Sequence, residues 1–205
     1  MLPKQTDMDS VVRKIHRAVE EKAHLRNTLF VLLGDHGMTE QGNHGGDTPG
    51  ELASTMIFIS PRFKSNSKGL ESPLAATENY KYYSTVNQVD LVPTLAGLLG
   101  FNTPSRNTGI FITQFIEFFN RTDDAIRVLL QNAKQIMKVF ELESHGAVLN
   151  TTLCNTDCAG CETENRIACL WEKVTHAEQE FMRSDHASSD ALMLSIRTVG
   201  NSSPI

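Results

Sequence analysis

Asp35, His36 and His44 are the side chains of this chain best placed, by type and spacing, to do chemistry. A carboxylate and an imidazole on adjacent residues, followed eight positions later by a second imidazole, are three good ligands for zinc, and Asp and His suit manganese as well. They lie in the stretch from Gly34 to Asp47, whose five glycines let the backbone turn tightly and approach an ion or a phosphate with no side chain intervening. An isolated Asp-His pair is more often part of a turn. Strand context, glycine density and the third ligand tip the reading toward a site. Asp47 and Glu51 follow closely; such carboxylates either orient a ligand imidazole or cap the next turn, and both readings stay open.

Two strands must hold this loop in place. Residues 28–33 form a short apolar run ended by Gly34, which reads as a strand buried on both faces, and 55–60, stopped by Pro61, reads as a second. Upstream, Met8, Val11, Val12, Ile15, Ala18 and Val19 recur at helical spacing, with Arg13, Lys14, Arg17, Glu20 and Glu21 on the other face. Thr6 is placed to cap that helix. A helix leading into a buried strand is the grammar of a parallel α/β sheet. The loop then sits just past the carboxyl end of a strand, where such sheets bind ligands. Two strands are too few for a parallel sheet, so further strands are expected upstream of Met1, and the domain is expected to be incomplete.

Farther along, residues 62–84 are rich in Ser, Asn and Lys and read as an irregular surface excursion. Asp90 is read as the cap of an apolar helix through Leu91, Val92, Leu95, Leu98 and Leu99, closed by Gly100. Asp123 opens another, with Ile126, Leu129, Leu130, Ala133, Ile136, Met137 and Phe140 along one face, a stripe read as core. Helical patterns follow around 170–182 and 190–196. Cys154, Cys158, Cys161 and Cys169 crowd into sixteen positions. Their irregular spacing disfavours a zinc ribbon and favours paired disulfides of an oxidising compartment, with all three connectivities open. Sequons at Asn120, Asn150 and Asn201 point the same way, toward a glycoprotein. His16, His24, His145, His176 and His186 are expected to be solvated and without a chemical role.

The 205 residues, 40% hydrophobic, suffice for a sizeable core, and a net charge of -5 mixed along the chain offers no basic stripe to grip nucleic acid. No stretch approaches the roughly 20 apolar residues that span a bilayer, and no secretory signal is visible, so this chain is expected to be soluble by itself.

The run Gly34, Asp35, His36, Gly37, Met38, Thr39, Glu40, Gln41, Gly42, Asn43, His44, Gly45, Gly46 resembles the metal-binding signature of the GPI ethanolamine phosphate transferases, members of the alkaline phosphatase superfamily. The likeness continues from Val86 to Leu95 with Leu98, Leu99 and Gly100, and in the opening Leu2, Pro3, Lys4, Gln5, Met8 and Asp9. Pro49, Gly50 and Glu51 favour the type acting on the second mannose. The similarity covers residues 1–112. It implies an alkaline-phosphatase-like α/β domain, a mostly parallel sheet flanked by helices, whose C-terminal half is residues 1–145. A cysteine-containing helical extension and polar tail follow at 146–205.

The same resemblance implies a two-zinc site, with Asp35 and His36 on the ion that activates the nucleophile and His44 on the second. A threonine would take phosphoethanolamine from phosphatidylethanolamine and pass it to a mannose of the GPI glycolipid, in the biosynthesis of GPI anchors. The implied setting is the lumenal face of the endoplasmic reticulum membrane, with a small membrane subunit as partner. The nucleophile and remaining ligands are expected upstream of Met1, since neither Thr28 nor Thr39 stands in the nucleophile's context. This chain, as a fragment, is expected to bind metal weakly and to be inactive alone. Two other readings remain: a phosphodiesterase or nucleotide pyrophosphatase of the same superfamily, and a non-catalytic truncated product.

Overall fold

Apolar residues at helical spacing near the start of the chain form α1, Leu2–Glu21. The helix begins before Thr6, the expected cap, and takes it into its body; Pro3 is tolerated because first-turn N–H groups have no partner within a helix. Along the polar face Asp9 pairs with Arg13 at 2.7 Å and Arg17 with Glu21 at 3.9 Å, one turn apart. Of the apolar face only Val19 is buried, while Met8, Val11 and Ile15 are exposed.

The computed structural model describes residues 2–63, 85–143, 158 and 163–183. Most of the 62–84 excursion, Cys154, Cys161, Asn150, Asn201, His145, His186 and the 190–196 pattern lie outside the described residues. The chain divides into two compact units, residues 1–72 and 73–205.

In the first unit, β1 (Phe30–Leu33) and β2 (Met56–Ile59) form a two-stranded sheet. The pairing is antiparallel, Phe30 opposite Ile59 and Leu33 opposite Met56, and a bond from Gly34 N–H to the Thr55 carbonyl (3.0 Å) carries it one step farther. A mostly parallel sheet was expected, and among the described residues the opposite sense is found. Parallel neighbours need a crossover, usually a full helix, that returns the chain to the starting end of the sheet. Between β1 and β2 the only α-helix is the single turn α2, Pro49–Leu52, and the chain comes back at the end where it left. Burial differs from expectation too: the strand residues are half-buried, with Leu33 and Ile57 exposed, rather than enclosed on both faces.

In the second unit the expected helices form as α3 (Leu91–Leu99), α4 (Thr122–Glu143) and α5 (Thr163–Arg183). Helix α3 ends at Gly100, whose φ of 77° is the left-handed conformation that glycine adopts at least cost. The apolar stripe of α4 is core, as expected: Ile126, Leu129, Leu130, Ala133 and Met137 are buried, with Ile126 fully enclosed. Helices α4 and α5 are joined by an ion pair, Lys134 Nζ to Glu178 Oε1 at 2.6 Å. Cys158 is bonded to Cys169 at the first half of α5, in a small buried cluster with Leu170. Of the three connectivities open from sequence, those lacking this bond are thereby excluded. Asn120 is exposed in the bend before α4, where a glycan has room.

Between α3 and α4 runs the extended segment 109–112, held by side chains in place of a partner strand. Ile110 N–H donates to Asp90 Oδ1 (2.8 Å) and Ile112 N–H to Thr94 Oγ1 (2.9 Å). From the other side, Asn132 Oδ1 accepts Phe111 N–H (2.8 Å) while its amide donates to the Gly109 carbonyl (3.1 Å). Contrary to the expectation from sequence, Asp90 does not cap α3 with its side chain; its second oxygen accepts Asn87 N–H (2.9 Å), closing a capping box on the 3₁₀ turn Gln88–Asp90 that precedes α3.

Candidate metal centre

The loop begins where the β1–β2 ladder ends, so Asp35 and His36 stand one and two residues beyond the last paired backbone group, Gly34 N–H. Asp35 Oδ1 accepts the N–H of His36 at 3.0 Å, a local bond that fixes the carboxylate against its own backbone. The His36 Nδ1 lies 2.8 Å from the Gly37 carbonyl. A carbonyl can only accept, so Nδ1 carries the proton, and in the neutral ring Nε2 is left with its lone pair. Asp35 Oδ2 is 3.7 Å from that Nε2. Donors bound tetrahedrally at the usual zinc distances are about 3.3 Å apart, so a small adjustment would set both on one ion.

His44 is brought back to His36 by a tight turn clasped at Thr39. The Thr39 N–H donates to the Asn43 carbonyl (2.9 Å), Gly42 N–H donates to the Thr39 carbonyl (2.9 Å), and the Thr39 hydroxyl accepts Asn43 N–H (3.0 Å). With residues 39–43 folded on themselves, the eight-residue separation closes and the two imidazoles stack, centroids 4.9 Å apart and planes 7° from parallel. The clasp was not picked out from the sequence, although a threonine four residues before an asparagine, with Gly42 between, is the available signal. It gives Thr39 a structural task.

The loop's other end is anchored by Glu51, the one buried residue between 40 and 55. Its Oε2 accepts the Thr48 hydroxyl at 2.6 Å and its Oε1 accepts Gly46 N–H at 3.1 Å. The approach depends on glycine: a Cβ at position 46 would lie 2.6 Å from Oε2. Of the two roles left open for Glu51, the geometry is that of an anchor on backbone and on Thr48, the residue preceding α2: its carboxylate bonds go to Gly46 and Thr48. Asp47 is exposed. Of the remaining histidines, His24 and His176 are exposed and His16 lies 3.7 Å from Glu20 on α1.

The Thr48 hydroxyl, then the Gly46 N–H, hold the Glu51 carboxyl below its ordinary value of 4.5; burial opposes them, and nearby His44 adds a smaller lowering. A carboxyl lowered by folding contributes stability that is fully present above its unfolded value and is lost as pH falls through the lower folded value. The Gly46 amide is therefore expected to report a Glu51-linked change centred below pH 4.5. A pH titration followed by NMR checks this, and a Glu51-linked transition above that pH would contradict it.

Among the described residues no three His, Cys, Asp or Glu side chains converge on one point. Asp35, His36 and His44 thus present two neighbouring donor sets, a carboxylate with an imidazole and a lone imidazole. The chemistry of these donors suits zinc or manganese.

Residues 5–101 match the family model described as Sulfatase, and the α/β arrangement described above is consistent with that class. Proteins named GPI ethanolamine phosphate transferase 2 are similar: that of Aspergillus fumigatus is 47% identical over 141 residues, 69% of this chain and 18% of its own length. That of Aspergillus oryzae is 38% identical over 189 residues, 85% of this chain and 22% of its own. That of Saccharomyces cerevisiae is 37% identical over 152 residues, 71% and 18% of the two chains. The chain belongs to the GPI ethanolamine phosphate transferase 2 family of the alkaline phosphatase superfamily. It spans about a fifth of the length of these curated relatives. No solved structure matches it. No described helix is long and apolar enough to cross a membrane.

Proposed function

We propose that this chain supplies part of a two-metal site that transfers phosphoethanolamine to a mannose of a GPI glycolipid, the second mannose by its likeness around Pro49, Gly50 and Glu51. The observation that carries the proposal is the pair of donor sets at the end of β1, with the His36 Nε2 lone pair beside Asp35 and the His44 ring stacked 4.9 Å away. In this reading Asp35 and His36 hold one ion and His44 the other. Divalent ions held there would activate a hydroxyl nucleophile and neutralise charge on the group in transfer. What the chain's own residues do is present those donors: the Gly37 carbonyl orients His36, and the Thr39 clasp and Glu51 anchor bring in and hold the His44 arm.

Two zinc ions take about eight donor positions at four each, and three are offered here, so the chain alone is proposed to bind metal weakly and to turn over nothing. The nucleophile is assigned to none of its residues: the Thr39 hydroxyl is engaged in the turn, and Thr28 lies before β1, at the end of the strand opposite Asp35 and His36. The remaining ligands and the nucleophile are proposed to come from sequence of the kind that makes the relatives longer. Phosphatidylethanolamine as donor, a lumenal site on the endoplasmic reticulum and a small membrane subunit belong to the same proposal. Asn120, being exposed, and the Cys158–Cys169 disulfide suit such a compartment.

The test is a chimaera in which this chain replaces the matched segment of the Aspergillus fumigatus relative. It is expected to transfer phosphoethanolamine to a GPI glycolipid and to leave nucleotide pyrophosphates uncut. A folded, metal-loaded chimaera that cleaves the pyrophosphate and transfers nothing would place the chain with the superfamily's phosphodiesterases instead.

A further inference from the structure

Glu51 is the buried point in a loop whose residues 40–50 are all exposed. Its main-chain carbonyl accepts the N–H of Gly37, next to His36, at 2.8 Å. Its carboxylate accepts the N–H of Gly46, two residues from His44, at 3.1 Å, and is itself held by the Thr48 hydroxyl at 2.6 Å. One residue thus touches both arms of the loop, and each arm ends in an imidazole.

We propose that Glu51 is the positioning residue that sets the two imidazole-bearing arms at their spacing, its main chain holding the His36 arm and its carboxylate the His44 arm. A residue that only capped the turn of α2 would need its bonds to Thr48 and no others. The Gly46 bond lies outside that turn, and Gly46 has no Cβ where the carboxylate comes within 2.6 Å of the place one would occupy. Among the described residues the imidazole stack is otherwise tied on the His44 side by the Thr39 clasp, five residues earlier in the chain, which closes residues 39–43 and does not set the direction of the segment after His44. The inference rests on the proposed metal-binding reading only for its functional consequence; the geometry exists without metal.

The experiment therefore has two readouts on the full chain. In metal-free protein, NMR contacts between the ring protons of His36 and His44 report the stack; zinc affinity, measured by competition with a chromophoric chelator, reports the donor sets. Glu51→Ala is expected to abolish the ring contacts and to weaken zinc about 10- to 100-fold, the range seen when the support of a ligand is removed. Glu51→Gln, which keeps an acceptor for Gly46, is expected to retain the contacts and to stay within about threefold of wild type, a smaller loss than that range. Should Glu51→Ala fail to fold, Thr48→Val removes the hydroxyl that holds Oε2 and is expected to weaken the same contacts. If His36→Ala lowers zinc affinity while Glu51→Ala leaves both the ring contacts and the affinity unchanged, the positioning role is wrong and the metal reading stands. If Glu51→Ala breaks the ring contacts but neither His36→Ala nor His44→Ala changes zinc affinity, the positioning role stands and the metal reading falls.

Discussion

His36→Ala, placed in the chimaera with the Aspergillus fumigatus relative, is expected to lower phosphoethanolamine transfer by at least about 100-fold, beyond the 10- to 100-fold cost of losing a group that merely supports a ligand. The expectation follows from the ring's double commitment. Its Nδ1 is tied to the Gly37 carbonyl at 2.8 Å, so Nε2 can serve as a donor without a change of tautomer, and it shares its position with Asp35 Oδ2 at 3.7 Å. Alanine removes the donor and also the ring against which His44 stacks, so both donor sets are damaged by one substitution. Asp35→Ala is expected to act in the same direction through the same ion. Met38→Ala, exposed in the same loop, is the control and is expected to change little. Transfer and zinc content measured on the same preparations separate loss of the ion from loss of the fold. A His36→Ala chimaera that transfers within about threefold of wild type, far short of a lost ligand's cost, would contradict the assignment.

Asn132→Leu is expected to destabilise the second unit by about 3 kcal/mol or more, since it strands a buried N–H and a buried carbonyl at about 1–3 kcal/mol each. The replacement is close in volume, so little of that cost is cavity. Asn132 is 6% exposed in the middle of the buried α4 stripe, and its amide makes both bonds to the 109–112 segment on that side, to Phe111 N–H and the Gly109 carbonyl. Phe111 is itself 2% exposed, so water cannot replace the lost partner without opening the core. Asn132→Asp keeps the acceptor but turns a second oxygen toward the Gly109 carbonyl, and is expected to be no better. Thermal unfolding of the full chain is the measurement, with a fall in Tm of roughly 10 °C expected for a unit of this size. A shift below about 2 °C would mean that the amide is not what holds the segment.

How far the sequence spoke for the structure depended on the range of each interaction. Local signals read well: the α4 stripe from Ile126 to Met137 became core, Gly100 ended α3 in the left-handed region, and the glycine-rich stretch became the loop between β1 and β2. His36 and His44, eight residues apart, stack just beyond the end of the strand pair, because the Thr39 turn closes the gap between them. What was not legible involves partners far apart in the chain. Asp90 looked like a cap for α3 because its bond to Ile110 crosses 20 residues, and Asn132 looked like a polar interruption of a stripe because its partners are 21 and 23 residues away. The antiparallel sense of the β1–β2 pair was not legible because a run of buried-looking apolar residues says nothing about the path between strands; the single turn of α2 and the return at the same end go with it. For Glu51 the two readings could not be separated by spacing, because both need a carboxylate a few residues past a ligand, and only its bonds to Gly46 and Thr48 distinguish them.

Whether Asp35, His36 and His44 hold divalent ions for phosphoryl transfer is decided by anomalous diffraction at the zinc edge on crystals of the zinc-loaded chimaera. Two peaks about 3.5–4 Å apart are expected, one against Asp35 and His36 and the other against His44, as in two-metal transfer sites. Peaks elsewhere in the chimaera, with this loop bare at full zinc loading, would contradict the assignment.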